Sequence, residues 1–298
     1  MAITASQVKE LREKTGVGMM ECKKALQEND GDQEKAILWL RERGMSRAAK
    51  KSGRVTAEGL VKILVSDDAS KGVALEVNCE TDFVSKNEDF LAFVDEAAKL
   101  ALDNNSSSVE ELSAVKMGET TVGNKLTSLI STIGENLQLR RVRVAQAEKG
   151  LVAGYTHMGG RIGALVVLDG ADGDSLQELG SDLAMHAAAA APRYLKSADV
   201  DATELEQEKE LSRKKLLEQG KPENLIEKIL MGQMNKFYKE ICFLEQAFVK
   251  DPNYSITKLV KEKGKGAQLT DYIRYQLGEG IEKRKENFAD EVAAAVKT

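Results

Sequence analysis

Gly72-Val73-Ala74-Leu75-Glu76-Val77-Asn78-Cys79-Glu80-Thr81-Asp82-Phe83-Val84 changes character partway along. Val73, Leu75, Val77 and Cys79 alternate with Ala74, Glu76, Asn78 and Glu80, the period of two that a pleated strand imposes. The alternation then stops at Thr81-Asp82-Phe83-Val84. Ser85-Lys86-Asn87-Glu88 has the spacing of a capping box and opens a helix carrying Phe90, Leu91, Phe93, Val94, Ala97 and Ala98. Upstream, Val61, Ile63 and Val65 alternate with Leu60, Lys62 and Leu64, and the polar segment Ser66–Lys71 turns the chain. Two strands and a turn predict a hairpin with one buried face, followed by a helix.

The same order recurs further along. Gly150-Leu151-Val152 echoes Gly59-Leu60-Val61, and Gly163-Ala164-Leu165-Val166-Val167 echoes Gly72-Val73-Ala74-Leu75-Glu76-Val77. Both pairs are offset by 91 residues (150 − 59 and 163 − 72). At that offset Phe93, Val94, Ala97 and Ala98 meet Ala184, Met185, Ala188 and Ala189. One offset held across strands and helix points to two similar β-β-α halves produced by duplication.

Flanking and inserted segments read as helical. In residues 1–54 the Thr4-x-x-Gln7 capping box, the break at Thr15-Gly16-Val17-Gly18 and the turn at Asn29-Asp30-Gly31-Asp32 delimit three short helices. Such a unit resembles a ubiquitin-associated-type bundle, usually a docking module. Pro192 stops the Ala-rich helix of the second half. Helical patterns near 203–219 and 223–241, separated by Gly220-Lys221-Pro222, predict an antiparallel helical hairpin. Leu205, Leu216, Leu225, Ile229, Met234 and Phe237 are its expected seam. That hairpin either covers the sheet or serves self-association. A strand pattern returns at Leu269–Leu277, and a last helix carries Phe288, Val292 and Val296. The fold class is α+β. The expected domains are a helical module at 1–54, core halves at 55–148 and 149–278 with the hairpin inserted at about 192–245, and a C-terminal helical module at 279–298.

Composition narrows the function. The 298 residues carry a formal charge of −5, so no global basic field draws the chain onto nucleic acid. The basic cluster from Arg47 through Lys51 to Arg54 is local, a solvated helix face or a domain join. Three widely spaced cysteines, Cys22, Cys79 and Cys242, form no CxxC pair and no secreted disulfide framework. No apolar run spans a bilayer and the N-terminus lacks a signal-peptide layout, so the expected location is the cytoplasm. There is no phosphate-cradling Gly-x-x-x-x-Gly-Lys-Ser/Thr, and Lys263-Gly264-Lys265-Gly266 lacks its spacing and hydroxyl. With two histidines, no dinucleotide fingerprint and no Gly-x-Ser-x-Gly elbow, an enzyme reading is poor and no cofactor, metal or bound nucleotide is expected.

Asp82 and Phe83 stand between a buried strand and a helix cap. A large ring beside a carboxylate on such a short connection suits insertion into a partner. The alternative is that Phe83 continues the strand's inward face and Asp82 helps cap the helix.

These residues also carry a resemblance. Glu76-Val77-Asn78-Cys79-Glu80 followed by Thr81-Asp82-Phe83-Val84 resembles the elongation factor Ts family. So do Thr15-Gly16-Val17-Gly18-Met19-Met20-Glu21-Cys22-Lys23-Lys24-Ala25-Leu26, Ile133-Gly134-Glu135-Asn136, Gly154-Tyr155-Thr156-His157 and Gly278-Glu279-Gly280-Ile281-Glu282-Lys283. The motifs span nearly the whole chain in the family's order. The resemblance implies a guanine-nucleotide exchange factor, not an enzyme, whose partner is elongation factor Tu. It implies that Thr81, Asp82, Phe83 and Val84 act beside the partner's Mg²⁺, with Asp82 and Phe83 intruding near switch II, and it places further contacts at His157, Lys23 and Asn136. His157 has a second reading, a hairpin-tip histidine making only local hydrogen bonds. His186, on the Ala-rich helix, reads as a satisfied core histidine. Met19 and Met20 suit either the bundle core or an adaptable contact.

Overall fold

The computed structural model of the chain describes residues 3–282, the Asp174 side chain excepted. The last helix expected around Phe288, Val292 and Val296 lies outside the described residues.

Three helices come first: α1 (Ala5–Thr15), α2 (Met19–Glu28) and α3 (Gln33–Lys51). Thr4 and Gln7 form the reciprocal capping box, and Gly16 ends α1 in the left-handed conformation. Val8, Leu11, Cys22, Ala25, Leu26, Ala36 and Leu40 make the bundle's own core. The third helix is longer than expected: Asp32 caps its start, its buried face ends at Gly44, and the helix itself continues through the basic cluster to Lys51.

Two hairpin–helix halves follow. The first comprises β1 (Glu58–Val65), β2 (Lys71–Cys79) and α4 (Glu88–Asp103). After it come α5 (Val109–Ala114), β3 (Lys116–Met117), β4 (Thr120–Thr121), α6 (Val122–Ile133) and β5 (Leu137–Gln146). The second half is β6 (Gly150–His157), β7 (Ile162–Asp169) and α7 (Gln177–Ala190). Then come the helical pair α8 (Ala202–Glu218) and α9 (Glu223–Ile241), β8 (Ala247–Phe248), β9 (Asp251–Ser255), α10 (Ile256–Lys263) and β10 (Gln268–Gln276). The two larger sheets have the orders β1-β2-β5 and β10-β7-β6, so the second strand of each hairpin is central. No helix among the described residues is long and apolar enough to cross a membrane.

The duplication shows in the backbone contacts. A Cβ on Gly59 would lie 2.1 Å from the carbonyl oxygen of Val77, and one on Gly150 would lie 1.9 Å from that of Leu168. Both members of the pair are offset by 91 (150 − 59, 168 − 77), so each half crosses its hairpin at the same point. The contact between hairpins is reciprocal too. A Cβ on Gly72 would meet Val152 Cγ1 at 2.8 Å, and one on Gly163 would meet Val61 Cγ1 at 2.7 Å, again the same offset on both sides.

Four expectations need correction. β2 is buried on both faces, not one, because Gly72 lies against Val152 and Leu165, and Ala74 joins a core with Val152, Leu165 and Val167. The helix stripes align at an offset of 90 (183 − 93), not 91. Phe93, Val94, Ala97 and Ala98 match Leu183, Ala184, Ala187 and Ala188, all buried, whereas Ala189 is exposed. The first half has one residue more between strand and helix, in the connection that carries Asp82 and Phe83. Helix α4 is capped by Asn87, whose side chain accepts from the Phe90 amide, and Ser85 lies in a 3₁₀ turn, Val84–Lys86. In the helical pair, Leu216, Ile226 and Leu230 form the seam, while Leu225 points to solvent. Leu216 and Met234 are buried and Ile229 packs against the seam as expected, so the difference is confined to Leu225, whose inward place is taken by Ile226.

The chain divides into two compact units. One takes residues up to Leu60, Leu75–Val142 and from Gln276; the other takes Val61–Ala74 and Arg143–Tyr275. In the second, α7 packs Leu179, Leu183, Ala184 and Ala187 onto Leu151, Ala164, Val166 and Leu168 of its hairpin.

Candidate functional site

β2 leaves its sheet at Cys79, and residues 80–87 lead to α4. Glu80 Oε1 accepts the Asn136 amide at 2.6 Å and pairs with Arg54 Nη1 at 3.3 Å. Thr81 is gripped at two points by one carboxylate: its amide donates to Glu135 Oε2 at 3.0 Å, and its hydroxyl to Glu135 Oε1 at 2.6 Å. The Cys79 thiol donates to the Thr81 carbonyl at 3.0 Å. Burial pushes that thiol up to about 12, so it stays protonated and remains a donor. The Thr81 hydroxyl also accepts the Val84 amide at 3.4 Å, and Ser85 Oγ donates to the Asp82 carbonyl at 2.8 Å. The Lys86 amide closes the turn onto the Phe83 carbonyl.

With the backbone tied on both sides, Val84 turns inward and Phe83 outward. Phe83 is 81% exposed, more than any other large hydrophobic side chain among the described residues. Asp82 Oδ2 pairs with Lys86 Nζ at 3.0 Å on the surface. Phe83 is therefore not a continuation of the strand's inward face, and the α4 cap belongs to Asn87 and not to Asp82. An aromatic ring, which usually buries 150–250 Å², here stands in water on a short and heavily bonded turn. Such a ring is a ready anchor for a partner's pocket.

The other residues singled out in the sequence fall in several places. Asn136 is buried, its side-chain amide donating to the Arg54 carbonyl at 3.0 Å, and so lies in the network beneath the tip. Lys23 is exposed on α2, as are Met19 and Met20 at its start. His157 is exposed at the end of β6, where Tyr155 Oη and His157 Nδ1 are 3.2 Å apart. It belongs to the other compact unit. His186 is buried and bonded at both ring nitrogens: Val249 N–H donates to Nδ1 at 3.3 Å, so Nε2–H donates to Gln246 Oε1 at 3.0 Å. Burial holds its pKa below the ordinary value.

Glu80 and Glu135 were not singled out by sequence reasoning. Thr81 and Glu135 are 54 positions apart and belong to different elements, so no periodicity pairs them. The local signals are the place of Glu135 in the Ile133–Asn136 motif and Gly134, which ends α6 at φ 91° and turns Glu135 and Asn136 toward the tip. Glu76, a further buried carboxylate, accepts from Arg140, Arg141 and the Gly278 amide. Burial pushes it up, but the amide and the two guanidinium groups outweigh that and hold it below the usual carboxylate range. A cavity of about 680 Å³ lies between α3 and α6, lined by Ile37, Leu40, Met45, Met117, Thr127 and Ser128 among others, with no histidine or cysteine. No group of His, Cys, Asp and Glu among the described residues could hold a metal ion.

A bundle of three helices, two hairpin–helix halves, an inserted helical pair and a braced aromatic tip define an α+β protein with no metal centre among its described residues. The family model described as "Elongation factor TS" matches residues 80–279. Over 303 residues the chain is 52% identical to elongation factor Ts of Magnetococcus marinus, covering 99% of each chain. It is 51% identical over 297 residues to that of Clostridium perfringens and 50% identical to that of Clostridium botulinum, with 98% of each chain covered. The chain belongs to the elongation factor Ts family, and its role is that of a translation elongation factor.

Proposed function

We propose that this chain is the exchange factor for elongation factor Tu: it binds the GDP-bound partner, drives GDP off and so permits GTP loading. Asp82 and Phe83 enter beside the partner's Mg²⁺ and phosphate site, while Thr81 and Val84 hold them from within. Lys23 on the helical bundle and His157 in the second half add partner contacts, and Asn136 supports the tip from below. The chain supplies no nucleotide site or cofactor of its own.

The observation that carries this reading is the exposed Phe83 ring on a turn whose backbone is bonded on both sides. A backbone already held in the shape it needs for docking loses little freedom on binding. The energetics are those of linkage: whatever factor the chain weakens GDP by, GDP weakens the chain by equally. A thousandfold effect requires about 4 kcal/mol of differential contact. A buried ring, a carboxylate beside Mg²⁺ and a displaced switch can supply a sum of that size.

Stopped-flow release of a fluorescent GDP analogue from elongation factor Tu is the test. Acceleration by substoichiometric chain supports the proposal. A release rate unchanged at saturating chain removes it.

A further inference from the structure

The Asp82–Phe83 tip is held by another part of the chain. Within the compact unit containing the bundle, the turn after α6 spends both oxygens of Glu135 on Thr81, the residue immediately before the tip. The two bonds differ in kind, one to the backbone amide and one to the hydroxyl, so they fix both the position of Thr81 and its χ1. The same turn uses Asn136, whose backbone amide and side chain reach Glu80 and the Arg54 carbonyl. Lys51 Nζ donates to the Gly134 carbonyl, so the end of α3 is tied to this turn as well. Within the tip, by contrast, Phe83 makes almost no side-chain contact, so its ring cannot set its own direction.

We propose that Glu135 is a positioning residue for nucleotide exchange: its carboxylate holds Thr81 so that the Phe83 ring is already aimed when the partner arrives. The inference rests on the exchange-factor reading above. It assigns Glu135 no contact with nucleotide or Mg²⁺. Glu135 acts by reach and hydrogen-bond geometry, and only through the tip.

Three substitutions separate reach from charge. Glu135→Ala removes the brace. Glu135→Asp keeps the charge but draws the oxygens back by a methylene, so neither bond to Thr81 survives at its present length. Glu135→Gln loses the charge, keeps the length, and retains an acceptor for one Thr81 donor. Misplacing a docking group by about 1 Å can cost up to about a hundredfold in rate. Glu135→Ala and Glu135→Asp are therefore expected to slow GDP release from elongation factor Tu by about tenfold or more, and Glu135→Gln by about threefold or less. Combining Glu135→Ala with Phe83→Ala should add little to the loss caused by Phe83→Ala alone, since a brace without a tip has nothing to aim. A merely structural role predicts the opposite, an additive loss.

A second readout does not depend on the partner. Hydrogen exchange at the Thr81 amide in the full-length chain should speed up by about tenfold or more in Glu135→Ala, with the melting temperature nearly unchanged. Glu135→Asp matching the unaltered chain, an additive loss in the double variant, or an unchanged Thr81 amide overturns the inference. If Phe83→Ala still drives GDP off elongation factor Tu at full speed, the exchange-factor mechanism falls and this inference with it. If Phe83→Ala is slow while Glu135→Ala is not, the positioning role alone is refuted.

Discussion

Replacing Asp82 and Phe83 together with alanine should remove exchange activity and leave the fold almost untouched. The expected stability cost follows from exposure. Phe83 is 81% exposed, leaving about a fifth of the side chain covered. Taking about 200 Å² for the side chain and about 25 cal/mol per Å², the lost burial is worth about 1 kcal/mol. The Asp82–Lys86 pair is solvated on both sides and contributes at most a few tenths more. A core phenylalanine would cost about 3–5 kcal/mol. At about 2–4 °C per kcal/mol for a chain of this size, the melting temperature should drop by only a few degrees. GDP release should slow by a much larger factor than the affinity for nucleotide-free elongation factor Tu falls, because the remaining contact surface is intact. Melting and stopped-flow release, measured on one preparation, decide the matter. A melting temperature lowered by ten degrees or more, with all binding lost in proportion, would refute the reasoning and make the Thr81–Val84 segment a piece of the scaffold.

Gly163→Ala should destabilise the chain by about 1–3 kcal/mol in urea unfolding, since its Cβ would meet Val61 and Ile63 at 2.7 Å; adding Val61→Ala should recover part of the loss, and no loss at all would deny the reciprocal packing of the hairpins. Glu76→Ala should cost about 3–5 kcal/mol, because Arg140 and Arg141 lose a fully buried partner. Since the folded pKa of Glu76 is lowered from about 4.5, its contribution is present above that pH and is lost as pH falls through the folded value; acid titration of stability in the unaltered chain and the variant should differ in that window. His186 has a folded pKa below 6.5, so below that pH the unfolded chain binds the extra proton and stability declines with acidification. Replacing His186 with glutamine should flatten that decline in pH-dependent melting, and an unchanged slope would assign it to other groups.

How far the sequence leads can be judged element by element. Thr4 and Gln7, Val8 and Leu11, and the alternations in β1 and β2 depend on neighbours a few positions away, and each marks its element correctly, whereas β6 and β7 are legible through their echo of the first hairpin 91 positions earlier. The tip at Asp82 and Phe83 could be located because a strand visibly ends before it. Its orientation could not be read, since Phe83 and Val84 are adjacent and either could have faced inward. Ser85 and Asn87 both precede the apolar stripe, so the sequence alone does not separate the true cap, Asn87, from its rival. Strand β5 is not evident from its sequence, because Arg140-Arg141 breaks the alternation between Leu139 and Val142, although Leu137, Leu139 and Val142 are buried along it.

The duplication, the α+β class, the helical insertion and the family were all contained in the order of residues, because period, offset and motif are properties of a line. The burial of β2 on both faces, the one-residue difference between the two strand–helix connections and the outward turn of Phe83 were decided by packing. So was the grip of Glu135 on Thr81. Those bonds join groups 54 positions apart, and their formation depends on where α6 ends and β2 leaves its sheet. Local propensity has no term for such a meeting; only the closed tertiary structure brings the carboxylate to within 2.6 Å of the hydroxyl.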